Sequence, residues 1–518
     1  MPNFLDDNLN QTVFFDINYL DVLGSNTFEY CLYHLLENDD IVADFYSRYK
    51  NKNVGRKAYP PALLLRVVFY AYYRGHTSSR VIARLCTTDL KFIALASGRQ
   101  PHFTTIANFV SSNCEAIGHL FHKILLICDE SGLIGKKHFA IDGCKLPTNA
   151  SKQWSGTHKE LRKKSEKLKS AAKRIVDKHL SNDSDKSSGE NIPEDQQQTI
   201  DTLMKNANKI DDFLSTNQPR MGQGKRKKEV QSNITDNQSA KMTTSKGTIQ
   251  GMACVTAADE KHQIIVHAQA FGMGQEQATL APMVEGIKHQ FGSDIFKPSL
   301  VLTADTGFSS EATMQYLFNE NINAVVPDNQ FRKRNPVFSG SDFYNKHKAL
   351  RKKTRKDQQS NDSVFHSSAF TVNTDKNVCV CPAGKTLLFS GDHFKGAKGT
   401  YSRFRGRLND CRSCAMQNKC MKNPVKEQGR QVSFLNKENE TMTCLDLMKQ
   451  KIDSPEGRRL YSRRMWTIEP VFGNITSNKG LNRISVRGEV KATAQWLLYC
   501  LVHNMEKLWK NTDITAWG

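Results

Sequence analysis

Apolar residues recur along this chain with a helical or a strand period in some stretches, and lose all period in others. Residues 58–128 have helical spacing. Pro60 and Pro61 precede ALLLRVVFYAYYRG, Ser78 and Ser79 are placed to cap SRVIARL, and Thr104 and Thr105 to cap TIANFVSSNCEAIGHLF. Proline and hydroxyl residues at such positions start helices, so three or four short helices are predicted. A bundle of this kind suits a helix-turn-helix module that docks on DNA, and equally a structural one. The segment HFAIDG (138–143) then reads as a short strand leading into Asp142.

From 151 to about 245 the text turns polar and basic. Leu161, Leu168 and Ile175 recur every seven residues, and Ile200, Leu203, Ile210 and Phe213 form a second stripe. Between them SNDSDKSSGENIPEDQQQ is almost free of apolar residues. The pattern predicts a helical hairpin with an irregular tip, inserted into a domain, because strand-like text resumes beyond it. Two β-rich runs in 249–270 flank Asp259-Glu260-Lys261, a hairpin signal. A helix from Gln275 to Phe291, a strand SLVLTAD (299–305), a helix capped by Ser309 and a strand INAVVP (322–327) follow. Regularity fails again from 328 to about 455, and helical periodicity returns in VKATAQWLLYCLVHNMEKLW. The expected organisation is a helical, DNA-associated domain over 1–130 and a mixed α/β core. The core occupies 131–327, interrupted by the 151–245 insertion, and is completed by 456–518 after a basic, cysteine-rich insertion over 328–455.

Charge sharpens this picture. Lys and Arg number 73 against 52 Asp and Glu, a formal charge of +21, which favours a polyanionic partner such as nucleic acid. The acidic start MPNFLDDNLNQ lacks a signal-peptide pattern, and the longest apolar run, Ala62 to Tyr73, contains Arg66 and is too short to span a bilayer. A soluble, cytoplasmic protein with no membrane partner is expected. Its 13 cysteines should then stay reduced, which makes clustered ones metal-ligand candidates.

Three acids carry candidate chemistry. Asp142 and Asp305 each end a buried strand, so neighbouring strands would bring both carboxylates to one sheet edge, within reach of a shared divalent cation. Glu469, in SRRMWTIEPVFGNI, is the third. Two ions held about 4 Å apart by such carboxylates stabilise the attacking and leaving oxygens of a displacement at phosphorus. An Asp before glycine is individually an ordinary turn former. The spacing carries more: 163 residues separate Asp142 from Asp305 and 164 separate Asp305 from Glu469, with one insertion in each gap. Pro470 suits the first turn of a helix, which would put Glu469 at a helix N-terminal edge; Glu489 remains a competing acid. Arg483 and Arg487, just past Glu469, are placed to position DNA. The basic runs 332–356 and Lys225-Arg226-Lys227-Lys228 read as phosphate-tracking or as solvated loops.

The segments FAIDGCKL, NITDNQSAKMTTSKGTIQG, VLTADTGFSSE and RRMWTIEPVFGNI followed by GLNRISVRG resemble the DDE insertion-sequence transposases, whose catalytic domain is ribonuclease H-like. The resemblance runs from about Ala58 to Leu508. It implies an α/β fold with a mixed sheet flanked by helices, and a catalytic, Mg²⁺-binding triad of Asp142, Asp305 and Glu469, with two Mg²⁺ or Mn²⁺ ions. It also implies cleavage and strand transfer on double-stranded DNA, at element ends and target, by a nucleoid-associated homo-oligomer. Tyr461, Arg464 and Glu469 match three places of the family's Tyr, Arg, Glu, Lys signature, with one residue too many before the glutamate, so Arg463 or Arg464 fills the second place. Thr476 occupies the Lys position, leaving Lys479 as a substitute DNA contact, and Gln277 stands where relatives tend to have Asp.

The cysteines form a second constellation: Cys379-Val-Cys381-Pro-Ala-Gly, then Cys411-Arg-Ser-Cys414 and Cys420. A CxxC pair supplies two thiolates from one turn, and tetrahedral zinc needs four ligands. The expected set for a structural Zn²⁺ is Cys381, Cys411, Cys414 and Cys420, with Cys379 as the alternate.

Overall fold

The computed structural model describes residues 18–47, 49, 57–183, 193–222, 228–245, 247–339, 365, 367–373, 378–396, 399–421, 428–435 and 442–512. The chain forms two compact units, one of residues up to Asp328 together with Met448 onward, the other of Asn329–Leu447. Among the described residues no helix is long and apolar enough to cross a membrane.

The first unit opens with helices α1 (Tyr19–Leu23), α2 (Phe28–Glu37), α3 (Asp39–Tyr46), α4 (Pro61–Tyr73), α5 (Ser79–Thr88), α6 (Leu90–Leu95), α7 (Phe103–Ser112) and α8 (Cys114–Glu130). The 58–128 stretch therefore holds five helices rather than three or four, and α1 to α3 precede them. The cap of α7 is His102, whose Nδ1 accepts from the Thr104 amide at 3.4 Å, so Thr104 and Thr105 sit inside the first turn instead of capping it.

The core sheet is built from β1 (His138–Pro147), β4 (Ala240–Thr244), β5 (Gly247–Asp259), β6 (Ile265–Phe271), β7 (Val301–Ala304) and β8 (Ala324–Val325); the short strands β2 (Ser155–Gly156) and β3 (Ser232–Asn233) pair apart from it. Its order is β6-β5-β1-β7-β8, with β4 on the early half of β5. β1, β5 and β6 are mutually antiparallel neighbours, and β7 and β8 run parallel to β1. This is the ribonuclease H-like mixed sheet that the sequence led us to expect. The hairpin turn lies where Asp259-Glu260-Lys261 predicted it, and the Asp259 carboxylate holds it by accepting from the amides of Gly135, Lys136 and Lys261.

Helices α11 (Leu280–Phe291) and α12 (Glu311–Asn319) belong to the core. Ser310 caps α12 with its hydroxyl on the Thr313 amide, one position later than the Ser309 expected. Between β2 and β3 the insertion forms a helical hairpin, α9 (His158–Asp183) and α10 (Glu194–Thr216). Leu161, Ala172, Ile200, Ala207 and Ile210 are buried in it, as the two stripes required; the polar tip at 184–192 lies outside the described residues.

In the second unit, after the one-turn helices α13 (Phe331–Arg334) and α14 (Pro336–Ser339), strands β9 (Thr371–Asn373), β10 (Val378–Val380), β11 (Thr386–Gly396), β12 (Gly399–Gly406) and β13 (Gln431–Leu435) form one antiparallel sheet. Two more one-turn helices, α15 (Leu408–Arg412) and α16 (Gln417–Cys420), lie between β12 and β13. Most of the basic run 332–356 lies outside the described residues, as do Lys225, Arg226 and Lys227.

Helix α17 (Cys444–Asp453) returns the chain to α18 (Pro455–Gly473) and α19 (Glu489–Asn511). Helix α19 covers the sheet: Trp496 donates to the Val255 carbonyl, and the Asn504 amide pairs with both backbone groups of Ile265. The N-terminal helices pack on the same helix, with Tyr72 stacked on Tyr499 at 4.3 Å between ring centroids. Pro470 is inside α18, not at its start, so Glu469 occupies a helix interior rather than an N-terminal edge. Proline tolerates that position because the carbonyl it leaves free, that of Trp466, accepts instead from Nε2 of Gln263 at 2.9 Å. A π-helical turn over Asn474–Asn478 ends the helix.

Candidate active site

Strands β1 and β7 pair in parallel with Ile141 opposite Ala304, so the next residue on each is an aspartate. Neighbouring strands run about 4.8 Å apart, and Asp142 and Asp305 consequently sit side by side. They share one cation, Arg464. Its Nη1 is 2.7 Å from Oδ2 of Asp142 and its Nη2 is 3.9 Å from Oδ1 of Asp305. Tyr461, one helical turn earlier on α18, donates to Asp305 Oδ1 at 3.3 Å, and the guanidinium lies over its ring. Burial pushes the Asp142 carboxyl above the usual carboxylate range, against the opposing pull of Arg464 and the Gly143 amide. Burial likewise pushes the Tyr461 hydroxyl up to about 12, so it is a hydrogen-bond donor at neutral pH.

The helical period decides which of the paired arginines belongs here. Arg464 is three residues from Tyr461 and shares its face, whereas Arg463 lies about 100° round the helix. Arg463 instead forms a two-pronged pair with Glu260 in the β5–β6 turn. Glu469, five residues past Arg464, falls about 140° away from it. It is solvent-exposed and makes no hydrogen bond or ion pair among the described residues. Glu489 begins α19, where its backbone amide donates to Gln238 Oε1. Burial raises its carboxyl, and Arg220 is the side chain that opposes this.

Lys479 does not face the site. It is 1% exposed, forms an ion pair with Glu506, bonds Asn474 Oδ1 at 3.2 Å and lies over the Tyr73 ring. A buried, saturated ammonium has no donor left for a phosphate, so the structure removes Lys479 as a DNA contact. Arg483 and Arg487 are exposed and lie beside the end of β1, with Nε of each on Thr148 O (3.1 Å) and Asn149 Oδ1 (2.9 Å). Thr476 turns its hydroxyl back onto the Phe472 carbonyl.

One acid at this edge had no warning in the sequence. Glu276 lies in a one-turn 3₁₀ helix, Glu276–Ala278, ahead of α11, with Oε1 3.6 Å from Nζ of Lys145 on β1. Burial raises its carboxyl, and Asp142 and Asp305 add to the rise while Lys145 opposes it. The local text, GMGQEQAT, has no period or motif that singles it out; the only hint is its place after the third core strand.

In the second unit Cys379 is buried among Phe370, Leu387, Phe404 and Val432, which makes it a core thiol rather than a ligand. Cys381, Cys411, Cys414 and Cys420 line one small cavity. The Lys385 amide points at Cys381 Sγ (3.3 Å) and the Arg430 amide at Cys411 Sγ (3.4 Å). As placed, no three His, Cys, Asp or Glu side chains among the described residues close round a point that could hold a metal ion.

The sheet order and the adjacent strand-end aspartates define a protein of the ribonuclease H-like class. Two family descriptions match the chain: "Transposase DDE domain" over residues 380–509, and "Transposase domain (DUF772)" over residues 18–112. The chain belongs to the DDE-type transposases. The DDE match begins beyond both aspartates and takes in Glu469 and the cysteine set. No curated protein matches the chain. A piggyBac transposase synaptic complex with hairpin DNA is a similar solved structure, with 10% identity and a TM-score of 0.32, covering 93% of this chain and 74% of that one.

Proposed function

We propose that the chain cleaves DNA at the ends of a mobile element and joins the freed 3′ ends to target DNA, using divalent metal ions. The observation that carries this reading is the pair Asp142 and Asp305, on adjacent strands with one cation between them. The donor set fits Mg²⁺ or Mn²⁺: carboxylates are hard oxygen ligands, and this pair already accommodates a shared positive charge from Arg464. When bound, such ions lower the cost of charge on the attacking and leaving oxygens at phosphorus. By its family signature Glu469 is the third acid, brought in from α18. Arg464 and Tyr461 orient the aspartates, and Arg483 and Arg487 hold the DNA backbone near the end of β1, where phosphate contacts fix register. No covalent protein nucleophile is needed. The partner is double-stranded DNA, bound by a homo-oligomer.

Products on end-labelled DNA carrying the element termini test the reading. Cut strands followed by joined strands are expected. Cut strands alone make the protein a nuclease of the same fold, and binding without cutting makes it a regulator on a transposase scaffold.

The same proposal extends to the second unit, where Cys381, Cys411, Cys414 and Cys420 hold a structural Zn²⁺. Their shared cavity and the backbone amides aimed at two of the sulfurs, which favour thiolates, support it. Elemental analysis should find about one zinc per chain, the number a four-thiolate site takes. Cys414→Ser should lose it and lower the unfolding temperature of this unit. Full zinc and unchanged stability in that variant would leave these as ordinary reduced thiols.

A further inference from the structure

Glu276 comes from neither of the elements that supply the two aspartates, yet it is fitted closely to both. Its Oε1 is 3.6 Å from Lys145 Nζ, and Lys145 stands on β1 three residues beyond Asp142. Its Oε2 occupies the space over Gly307, two residues beyond Asp305, where a Cβ would come within 2.2 Å of it. A side chain at 307 would therefore push the carboxylate away, and only the bare glycine admits it. The Glu276 side chain is 20% exposed, so water screens little of its repulsion from the neighbouring aspartates. Three carboxylates and the two cations Arg464 and Lys145 leave one negative charge in excess at this edge, and Lys145 is a loose partner at its distance. Holding a third acid against two others in that way is unfavourable without a further cation.

We propose that Glu276 is a metal-holding carboxylate, a third oxygen donor beside Asp142 and Asp305 for a divalent ion. The inference rests on the metal-dependent reading of this site and adds an acid that the family triad does not contain. Glu469 lies on the exposed side of α18, so the two glutamates make opposite predictions for the protein without DNA.

Calorimetric titration of Ca²⁺ or Mn²⁺ into the full-length protein reads binding without turnover. Glu276→Gln keeps the volume and one oxygen, and should weaken binding about tenfold or more, the scale of losing a ligand or its support. Gly307→Ala leaves every carboxylate present but takes the space of Oε2, and should weaken binding similarly. Glu469→Gln should bind within about twofold of the wild type, less than the loss of a ligand produces. The metal-dependent rise in unfolding temperature should shrink in the first two variants, while their metal-free unfolding temperature stays that of the wild type. Wild-type affinity in both Glu276→Gln and Gly307→Ala, with Asp142→Asn weakened, overturns the role of Glu276 alone. Equal binding in wild type and Asp142→Asn, or none in either, overturns the metal-site reading and this inference with it.

Discussion

Asp142→Asn and Asp305→Asn should each reduce cleavage of labelled element ends by about 10³-fold or more, equivalent to about 4 kcal/mol of lost transition-state stabilisation. Asparagine keeps the shape and one oxygen but cannot supply the negative charge that holds a divalent ion. Binding to the same DNA, measured by gel shift in the presence of EDTA, should change little, because the proposed DNA contacts Arg483 and Arg487 are anchored on Thr148 and Asn149 instead. The Asp142 variant should also release Arg464, whose guanidinium keeps only the 3.9 Å contact with Asp305. Full cleavage by either variant, or cleavage undiminished by EDTA in the wild type, would refute the assignment.

The second large effect is on stability. Lys479 and Glu506 form a pair in which the ammonium is 1% and the carboxylate residue 8% exposed, and Asn474 and Lys510 complete the shell of Glu506. Burial works against the Glu506 carboxylate, but the bonds from Asn474, Lys479 and Lys510 outweigh it and bring its pKa from 4.5 down to about 2. A carboxyl lowered on folding stabilises the protein above its unfolded pKa and loses that contribution as pH falls through its folded one. The contribution is about 3 kcal/mol, complete above about pH 5 and gone by about pH 2. Glu506→Gln strands the buried ammonium and should cost about 3–5 kcal/mol at pH 7, read from the denaturant midpoint. The gap between wild type and variant should close as the pH is lowered from about 4.5 to about 2. A gap that stays constant over that range would mean that the charge on Glu506 is not what stabilises the fold.

Both aspartates were legible because strand period and burial place a residue on a sheet edge without knowledge of the rest of the fold. HFAID and LVLTAD are each an apolar run ending in an acid, and the register of Ile141 with Ala304 followed once the two strands became neighbours. The choice between Arg463 and Arg464 was open because both precede the same motif. It closes only when Tyr461 fixes which face of α18 meets the sheet. The helical start expected from Pro470 failed for a long-range reason: Gln263, from the β5–β6 turn, satisfies the carbonyl that a proline strands. Lys479 misled because lysine is ordinarily a surface residue, and its partner lies 27 positions away on another helix. Glu276 carried no local signal, since its role depends on a glycine 31 positions further along the chain.

The cation between the two aspartates has a further consequence for the life of the chain. Arg464 is 322 residues from Asp142 in sequence, and both long insertions intervene before it is made. During synthesis Asp142 and Asp305 emerge as two acids on an unfinished sheet, without the helix that clamps them or α19 that covers the strands. Contacts of such separation close late, because long loops must be gathered before any pairing compensates their entropy. A polypeptide still attached to the ribosome, or one cut short before α18, therefore has no assembled centre with which to nick DNA. The capacity to break a chromosome arises only in the finished, folded molecule.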